Sequence, residues 1–347
     1  MNTAESFLAS NWKRLRLDGP KPPARLSSIL ATPRFRASRH VVFLILADSH
    51  ADPKWVAKMP RLAGETASLE REVANLRALC ALRVGGFQNV PRLLAYESYL
   101  GNRLLLESAV SGHAMRPAVV RQHPKECCDA AIHWLIGLHQ ASFHRQHDRM
   151  ASFQRLVVEP LDHFERVFPL STEERQLVAE TRRLTRPLQD LDFPLVFEHG
   201  DFSSPNILIG SRRDIGVVDW ELAEPHGLPA ADLFFFLSYV AFARNKSENP
   251  EDCVSSFHEA FWGPRAWTRE HIARYREALG LPAATLKLLF ITCWSRYAAG
   301  LISRLNDLGA GPRVEPDPET AAWLRSNRFF HLWRHVVQHA DDLRLAD

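Results

Sequence analysis

Two acidic residues and an amide lie at short intervals near the middle of the chain. Asp201 is followed five residues later by Asn206, and Asp219 lies thirteen residues beyond Asn206. An apolar run follows Asn206 and another precedes Asp219, which predicts two short strands joined by a turn. The three side chains would then lie at one end of a hairpin. Such oxygen ligands suit holding Mg²⁺ on a nucleotide and orienting a hydroxyl toward its last phosphate.

The residues before this hairpin predict a small α+β lobe. Strand patterns cover 26–31, 40–47, 54–59, 92–96 and 103–107, and a helical pattern covers 67–82. After Gly112 the patterns are mainly helical and end in one helix predicted over 318–341. The sequence therefore predicts an α+β protein with a five-stranded-sheet lobe at 1–108. A larger, mostly helical lobe at 109–347 would contain the hairpin.

The helix predicted over 67–82 carries two glutamates with different environments. Its apolar stripe includes Leu69 and Val73, and a helical wheel places Glu72 near that stripe. Glu70 falls on the opposite side, so we expect Glu72 to face the sheet and Glu70 to face water. Glu65 remains an alternative carboxylate for this position.

Composition and charge are those of an ordinary soluble globular protein. The chain has 347 residues, of which 46% are hydrophobic and 24% charged, and its net charge is +3. So small and scattered a charge argues against nucleic-acid binding. No secretory signal or membrane-length apolar run is visible. The five cysteines have no metal-type spacing, so we expect free thiols and a cytoplasmic location. Because no apolar run has membrane length, we expect no membrane association.

One extended set of motifs resembles a known family. His199-Gly200-Asp201, with Asn206 five residues on, is followed by Val218-Asp219-Trp220-Glu221 and by Gly227-x-Pro229-x2-Asp232-Leu233. This order and spacing resemble the aminoglycoside phosphotransferase and choline kinase-like family, which has the bilobal protein-kinase-like fold. The resemblance runs from roughly Val56 to Leu233, and its weaker members include Lys58 and Glu72.

The resemblance implies a role for each matching residue. Asp201 would be the catalytic base, Asn206 and Asp219 would hold Mg²⁺, and Glu221 would bind a second ion or fix the turn. Lys58, paired with Glu72, would hold the nucleotide phosphates. The following residues complete the expected site: Glu107, Ser108, Ala109 and Val110 in the linker that contacts adenine or guanine, and His199 and Asp232, which support the catalytic loop.

The implied activity is transfer of the γ-phosphate of ATP or GTP to a hydroxyl of a small molecule. Protein kinases carry an arginine and a lysine where this chain has Gly200 and Ser203, which disfavours a protein acceptor. The loop 32–39 between the first two strands contains no glycine, and a bulky loop approaches phosphates less closely. A nucleotide-binding pseudokinase that regulates a partner therefore stays open, with a protein kinase as the third possibility.

The acceptor could be an aminoglycoside, a sugar, a nucleoside or an amino alcohol. Aminoglycosides are polycations and need acidic side chains, for which two groups are candidates: Glu251, Asp252 and Glu259, and Glu315, Asp317 and Glu319. Nearby arginines weaken either field. The aromatic residues of the last third could cage a quaternary ammonium or stack on a sugar. At helical spacing they could equally form the core.

Overall fold

The structure is a computed structural model. It describes residues 2–17, 21–31, 39–48, 50–62, 64–82, 89–146, 148–211, 214–263, 265–306 and 318–345. The strands are β1 (Leu26–Ala31), β2 (His40–Ala47), β3 (Trp55–Pro60), β4 (Leu93–Tyr99), β5 (Asn102–Ser108), β6 (His113–Ala114), β7 (Val196–Glu198), β8 (Ile207–Ile209), β9 (Ile215–Val217) and β10 (Glu224–Gly227).

The helices are α1 (Thr3–Asn11), α2 (Ala67–Leu82), α3 (Pro117–Gln122), α4 (Pro124–Ala141), α5 (Arg149–Phe153), α6 (Glu159–Val167), α7 (Thr172–Thr185), α8 (Ala231–Asn245), α9 (Pro250–Phe261), α10 (Arg269–Leu279), α11 (Ala283–Asn306), α12 (Pro318–Arg325) and α13 (Arg328–Gln338). A π-helical stretch, Gln154–Val158, joins α5 to α6. Strands and helices are largely separated along the chain, as expected for the α+β class.

The chain divides into two compact units. The first comprises Met1–Ala114 and Pro205–Ala223, and the second comprises Met115–Ser204 and Glu224–Asp347. The sequence-based division at 108/109 places the hairpin in the helical lobe, whereas here 205–223, with β8 and β9, groups with the first unit. The reason is that β8 pairs with β6, and β9 pairs with β8.

The first unit is built on a five-stranded antiparallel sheet with the order β1-β2-β3-β5-β4. Residues on β3 alternate between its two faces. Trp55, Ala57 and Met59 join an apolar core with α1 on one face. The opposite face carries Lys58 and packs α2 through Leu69 and Val73. Alternation on β3 therefore decides that Lys58 lies on the α2 side of the sheet.

The second unit is mainly helical and has an aromatic core. Helix α8 is apolar around nearly its whole circumference, and most of its side chains are buried, as expected for a central helix. Phe234 on α8, Phe257 on α9 and Phe290 on α11 pack together, with the Phe234 and Phe290 rings 4.8 Å apart. Helix α8 is thereby fixed with Asp232 in its first turn.

The prediction of a single helix over 318–341 is wrong. The chain forms α12 and α13 instead, separated at Ser326 and Asn327. Asn327 has an extended backbone, and its side chain accepts a hydrogen bond from the Phe329 N–H, which is the geometry of a helix N-cap. An asparagine cap within a periodic pattern therefore starts a new helix.

Within the described residues, no single helix is long and apolar enough to cross a membrane. A bent pair, Arg269–Leu279 with Ala283–Ile302, passes that test by length and composition, with an angle of 112° between the two helices.

Candidate functional site

Three charged side chains of the first unit meet at the α2 face of the sheet. Lys58 Nζ donates to Glu72 Oε1 at 2.5 Å and to Asp219 Oδ1 at 3.0 Å. Lys58 is 4% exposed and Glu72 is fully buried, whereas the Asp219 side chain is 35% exposed. Glu70, on the same helix, is exposed and accepts from Thr66. The helical wheel thus separates the two glutamates correctly, and Lys58, Glu72 and Asp219 form one cluster.

Glu72 also fixes the turn that carries Asp219. Its Oε1 accepts a hydrogen bond from the Trp220 N–H at 3.3 Å. Asn75, one helical turn later, donates to the Trp220 carbonyl at 2.8 Å and to the Ala223 carbonyl at 3.1 Å. Helix α2 therefore holds the 219–223 turn at two points. The sequence pattern identified Glu72 but gave no signal for Asn75.

The backbone at Asp219 lies in the left-handed region, with φ +69°. Residues other than glycine rarely adopt this conformation, and aspartate is one of those that tolerate it. The bonds from Glu72 and Asn75 to the following turn hold the conformation in place. Such constrained conformations concentrate at functional sites.

The charges of this cluster shift the pKa values of its members. Burial lowers the pKa of Lys58, but Asp219, Glu72 and Glu107 outweigh it and raise that pKa well above its ordinary value. Lys58 is therefore a permanent cation. Burial raises the pKa of Glu107 to about 8, despite the opposing effect of Lys58. Glu107 is thus mostly neutral at pH 7. Burial also raises the pKa of Glu72, against the opposing charge and hydrogen bond of Lys58.

A second group of oxygen and nitrogen ligands adjoins Asp219. Ligand atoms of His40, Asp219 and Glu221 all lie within 4.8 Å of one another. Burial, followed by the charge of Lys58, lowers the pKa of His40 to about 4, which keeps its ring neutral. Asp219 and Glu221 remain partly exposed and offer the hard oxygen atoms that Mg²⁺ prefers. The donor set fits a divalent cation. The sequence reasoning missed His40, because only the β2–β3 pairing brings it here.

Asn206 and the expected linker residues also belong to the first unit. Asn206 is 4% exposed, and its carbonyl accepts from the Val218 N–H at 3.0 Å, which ties it to the strand leading to Asp219. In the linker, Ser108 ends β5, and the Ala109 N–H bonds to the Lys54 carbonyl at 3.0 Å. Val110 follows, partly buried. Glu107 differs from the other linker residues in having a buried side chain near Lys58.

In the second unit, one buried carboxylate organises the loop that bears Asp201. Asp232 accepts hydrogen bonds from the backbone N–H groups of His199 at 2.6 Å and Gly200 at 2.9 Å. Gly200 has φ +81°, a conformation that glycine adopts without strain. Burial raises the pKa of Asp232, but His139, His199 and these bonds outweigh it and lower that pKa. Asp232 is therefore charged and braces the loop. Asp201 is partly exposed.

A series of polar contacts links Asp232 to His139 and Tyr275. His139 Nε2 lies 3.7 Å from Asp232 Oδ2, and its Nδ1 contacts the Tyr275 hydroxyl at 2.5 Å. That hydroxyl accepts from the Ala230 N–H at 3.0 Å, just before α8 begins. Both histidines near the loop, His139 and His199, are fully buried. Both rings are therefore part of the packing around the loop.

A buried ion pair beside the loop was not found by sequence reasoning. Arg296 Nη1 donates to both carboxylate oxygens of Glu198 at 3.1 and 2.9 Å, and the Leu228 N–H donates to Glu198 Oε2. A Cβ on Gly227 would lie 2.4 Å from that oxygen. A glycine is therefore required opposite Glu198. The available signal was the single charged residue at the end of the otherwise apolar run 195–198.

A cavity of about 490 Å³ lies within the second unit against the Asp201 loop. Ser203 and Ser204 line it, and the Ser203 hydroxyl lies 3.5 Å from Asp201 Oδ1. Of the acidic residues considered for a polycationic acceptor, those that the structure describes do not line this cavity. Glu251 lines a separate histidine-rich cavity, and Glu259 accepts from Asn245. Glu315 and Asp317 lie outside the described residues, as does most of the glycine-free loop.

Comparison with known structures shows the same fold over almost the whole chain. An aminoglycoside 2'-phosphotransferase-IIIa in complex with GDP has 16% identity and a TM-score of 0.55, with 98% of this chain and 99% of that chain covered. An aminoglycoside phosphotransferase in ternary complex with ADP and hygromycin B has 13% identity and a TM-score of 0.55, with 96% and 99% covered.

A choline kinase from Streptococcus pneumoniae has 11% identity and a TM-score of 0.53, with 98% of this chain and 99% of that chain covered. A search of the curated proteins found no significant match. These structural similarities confirm the predicted α+β, protein-kinase-like fold.

A family profile described as the phosphotransferase enzyme family matches residues 34–279, which is more than half of the chain. The matched region includes Lys58, Glu72, the Asp201 loop and Asp219. It confirms the predicted resemblance and the prediction that the chain is an enzyme of the small-molecule kinase class. The chain belongs to the phosphotransferase enzyme family.

Proposed function

We propose that this enzyme transfers the γ-phosphoryl group of ATP or GTP to a hydroxyl of a small molecule, with Asp201 as the catalytic base. One observation carries the proposal. The buried, permanently charged Lys58 contacts both a helix carboxylate, Glu72, and a partly exposed carboxylate, Asp219. Phosphoryl transfer depends on such positioned charges more than on covalent chemistry.

In this proposal the chain's own residues position the reactants and accept a proton. Lys58 binds the α- and β-phosphates, and Glu72 holds its ammonium group in place. Asp201 accepts the acceptor's hydroxyl proton while the oxygen forms a bond to the γ-phosphorus. The bond between the γ-phosphorus and the bridging β-phosphate oxygen breaks, so that ADP or GDP leaves. Asp232 acts on this step only through the backbone of His199 and Gly200.

Asn206 and Asp219 would hold Mg²⁺, with Glu221 as a further ligand. When bound, the ion supplies neutralisation of the phosphate charge. The fit rests on the partly exposed Asp219 and Glu221, whose ligand atoms converge with that of His40. Because His40 is neutral, its ring nitrogen can accept an ion or a hydrogen bond.

The linker residues Glu107 to Val110 would contact the nucleobase through the backbone. Among the described residues, no hydrogen bond partner is found for the Val110 N–H, whereas the Ala109 N–H is already bonded. The GDP and ADP in the similar structures support a nucleotide co-substrate of either base. Free thiols at Cys80, Cys128, Cys253 and Cys293 support a location in the reducing cytoplasm.

Nucleotide turnover with Mg²⁺, measured over a panel of sugars, nucleosides, amino alcohols and aminoglycosides, tests the proposal. We expect phosphorylation of at least one acceptor and a loss of about 100-fold or more in Asp201→Asn. The matched control is Asp192→Asn, which changes an exposed carboxylate of the same unit. Intact Mg²⁺-nucleotide binding with no transfer to any acceptor would instead indicate a pseudokinase. Unchanged binding in Asp219→Asn would show that the metal assignment is wrong.

A further inference from the structure

The cavity beside Ser203 and Ser204 has the position expected for an acceptor site. Both serines belong to the loop that carries Asp201, and Ser203 Oγ lies 3.5 Å from the Asp201 carboxylate. The volume of about 490 Å³ falls in the range of small-molecule sites. A ligand in this cavity would therefore lie next to the proposed base.

One wall of the cavity is aromatic. Phe235, Tyr239, Phe242 and Phe329 line it, and the Phe235 and Phe329 rings stack with centroids 5.4 Å apart. The Tyr239 hydroxyl is not available to a ligand as a donor, because it donates to the Met115 carbonyl at 2.5 Å. The wall therefore offers mainly ring surface, which suits a planar or apolar group.

The charged side chains that line the cavity are predominantly cationic. Arg121, Lys246 and Arg328 are exposed and face a single acidic residue, Glu248. Arg121 donates to the Ala243 carbonyl rather than to a carboxylate. Among the residues that the structure describes, none of the three cations forms an ion pair. Their charge is thus available to a ligand.

Arg328 also occupies the positions where a cationic ligand would contact the rings. Its guanidinium lies 5.7 Å from the Phe242 ring centroid and 5.3 Å from that of Phe329. A further cation, Arg304, lies 5.5 Å over the ring of Tyr297, whose pKa burial and the charge of Asp201 raise to about 12. Positive charge therefore extends from the cavity toward the neighbourhood of Asp201.

We propose that the acceptor is a hydroxylated small molecule with a planar or apolar group and an anionic group, a carboxylate or a phosphate. This inference rests on the proposed function. It assigns the anion to Lys246 and Arg328, the planar group to the Phe235–Phe329 wall and the hydroxyl to the Asp201 side. Polycationic acceptors are disfavoured, because like charges across a site reduce affinity.

Three aryl glucosides test whether the cavity selects a ligand by its charge or by its shape. Phenyl, para-carboxyphenyl and para-aminomethylphenyl β-D-glucoside share the ring and sugar hydroxyls and differ in charge. Binding of each to the full chain, measured by calorimetry without nucleotide, should be strongest for the carboxylate. We expect Lys246→Gln and Arg328→Gln each to weaken it about fivefold to tenfold, with little change for the neutral glucoside. The control Arg166→Gln removes an exposed cation of α6, outside the cavity lining, and should leave binding unchanged.

Phosphate transfer from Mg²⁺-nucleotide to the same glucosides gives the second readout. The variants should raise KM for the carboxylate acceptor and leave kcat and the nucleotide KM near wild type, since neither residue belongs to the proposed catalytic group. Equal or weaker binding of the carboxylate probe, or no binding, overturns the inference. Asp201-dependent transfer to aminoglycosides or choline in that case leaves the phosphotransferase proposal standing. Failure to transfer to any acceptor counts against the phosphotransferase proposal, while the binding result still decides the charge preference.

Discussion

Replacing Glu72 by glutamine tests whether the Glu72 carboxylate positions Lys58 or only fills space in the core. Glu72 is fully buried, and its Oε1 accepts from Lys58 Nζ at 2.5 Å and from the Trp220 N–H at 3.3 Å. Removing one partner of a buried pair typically costs 3–5 kcal/mol. Glutamine keeps one acceptor, and Asp219 remains 3.0 Å from Lys58. We therefore expect a loss of about 2 kcal/mol, equivalent to roughly 30-fold if expressed in nucleotide affinity.

The matched control is Glu70→Gln on the same helix. Glu70 is exposed and bonds only to surface hydroxyl groups among the described residues, so the change should stay within about 0.5 kcal/mol. Denaturant unfolding measures the free energy of unfolding, and titration with Mg²⁺-ATP or Mg²⁺-GTP measures affinity. If the two variants lose similar stability and bind nucleotide equally well, the pairing of Glu72 with Lys58 has no positioning role.

Other perturbations address the supports of the site. In Gly227→Ala, the new Cβ would lie 2.4 Å from Glu198 Oε2, and we expect a loss of about 3 kcal/mol in denaturant unfolding. Gly137→Ala, in a helix with no atom within 4 Å of the added Cβ, should instead gain up to about 1 kcal/mol. Asn75→Ala removes two hydrogen bonds to the turn after β9 and should cost about 2 kcal/mol and lower nucleotide affinity. Burial and two neighbouring histidines lower the pKa of His335 to about 4. The unfolded chain therefore binds more protons, and the stability attributable to His335 falls as pH drops from 6.5 to 4. We expect a fall of about 2 kcal/mol after a discount for solvent screening of this partly exposed ring, and His335→Gln should flatten that decline.

Each of these expectations has a clear contrary result. Equal stability of the two glycine variants would show that Glu198 can move aside without cost. An Asn75→Ala protein with unchanged nucleotide affinity would show that the turn holds Asp219 without this support. A pH-dependence of unfolding that is the same with and without His335 would show that its ring titrates normally in the folded state.

Local patterns in the sequence were sufficient to predict several parts of the site. The alternation along β3 places Lys58 opposite Trp55, Ala57 and Met59, and the helical period of α2 turns Glu72 inward. Both inferences need only the repeat of one element and a single buried face. The order of motifs from His199 to Asp232 also indicated the family.

Contacts between distant segments could not be predicted in this way. Glu198 pairs with Arg296, and His139 contacts Tyr275, across 98 and 136 residues respectively. The cavity beside Ser203 is completed by Arg328 and Phe329 on a helix whose start the sequence pattern missed. Such contacts depend on how elements distant in sequence pack together, such as α4 against α10 and α8 against α13, which no single-element period specifies. The positive charge around this cavity was therefore visible only in the folded chain.

The central claim is that Asp201 directs an acceptor hydroxyl toward the γ-phosphate of a nucleotide. Phosphorus NMR of the reaction with Mg²⁺, nucleotide and para-carboxyphenyl β-D-glucoside follows that phosphate directly. We predict a new phosphomonoester signal that grows with the ADP or GDP formed, and its loss in Asp201→Asn with nucleotide binding intact. Formation of the phosphomonoester at the wild-type rate by Asp201→Asn would contradict the claim.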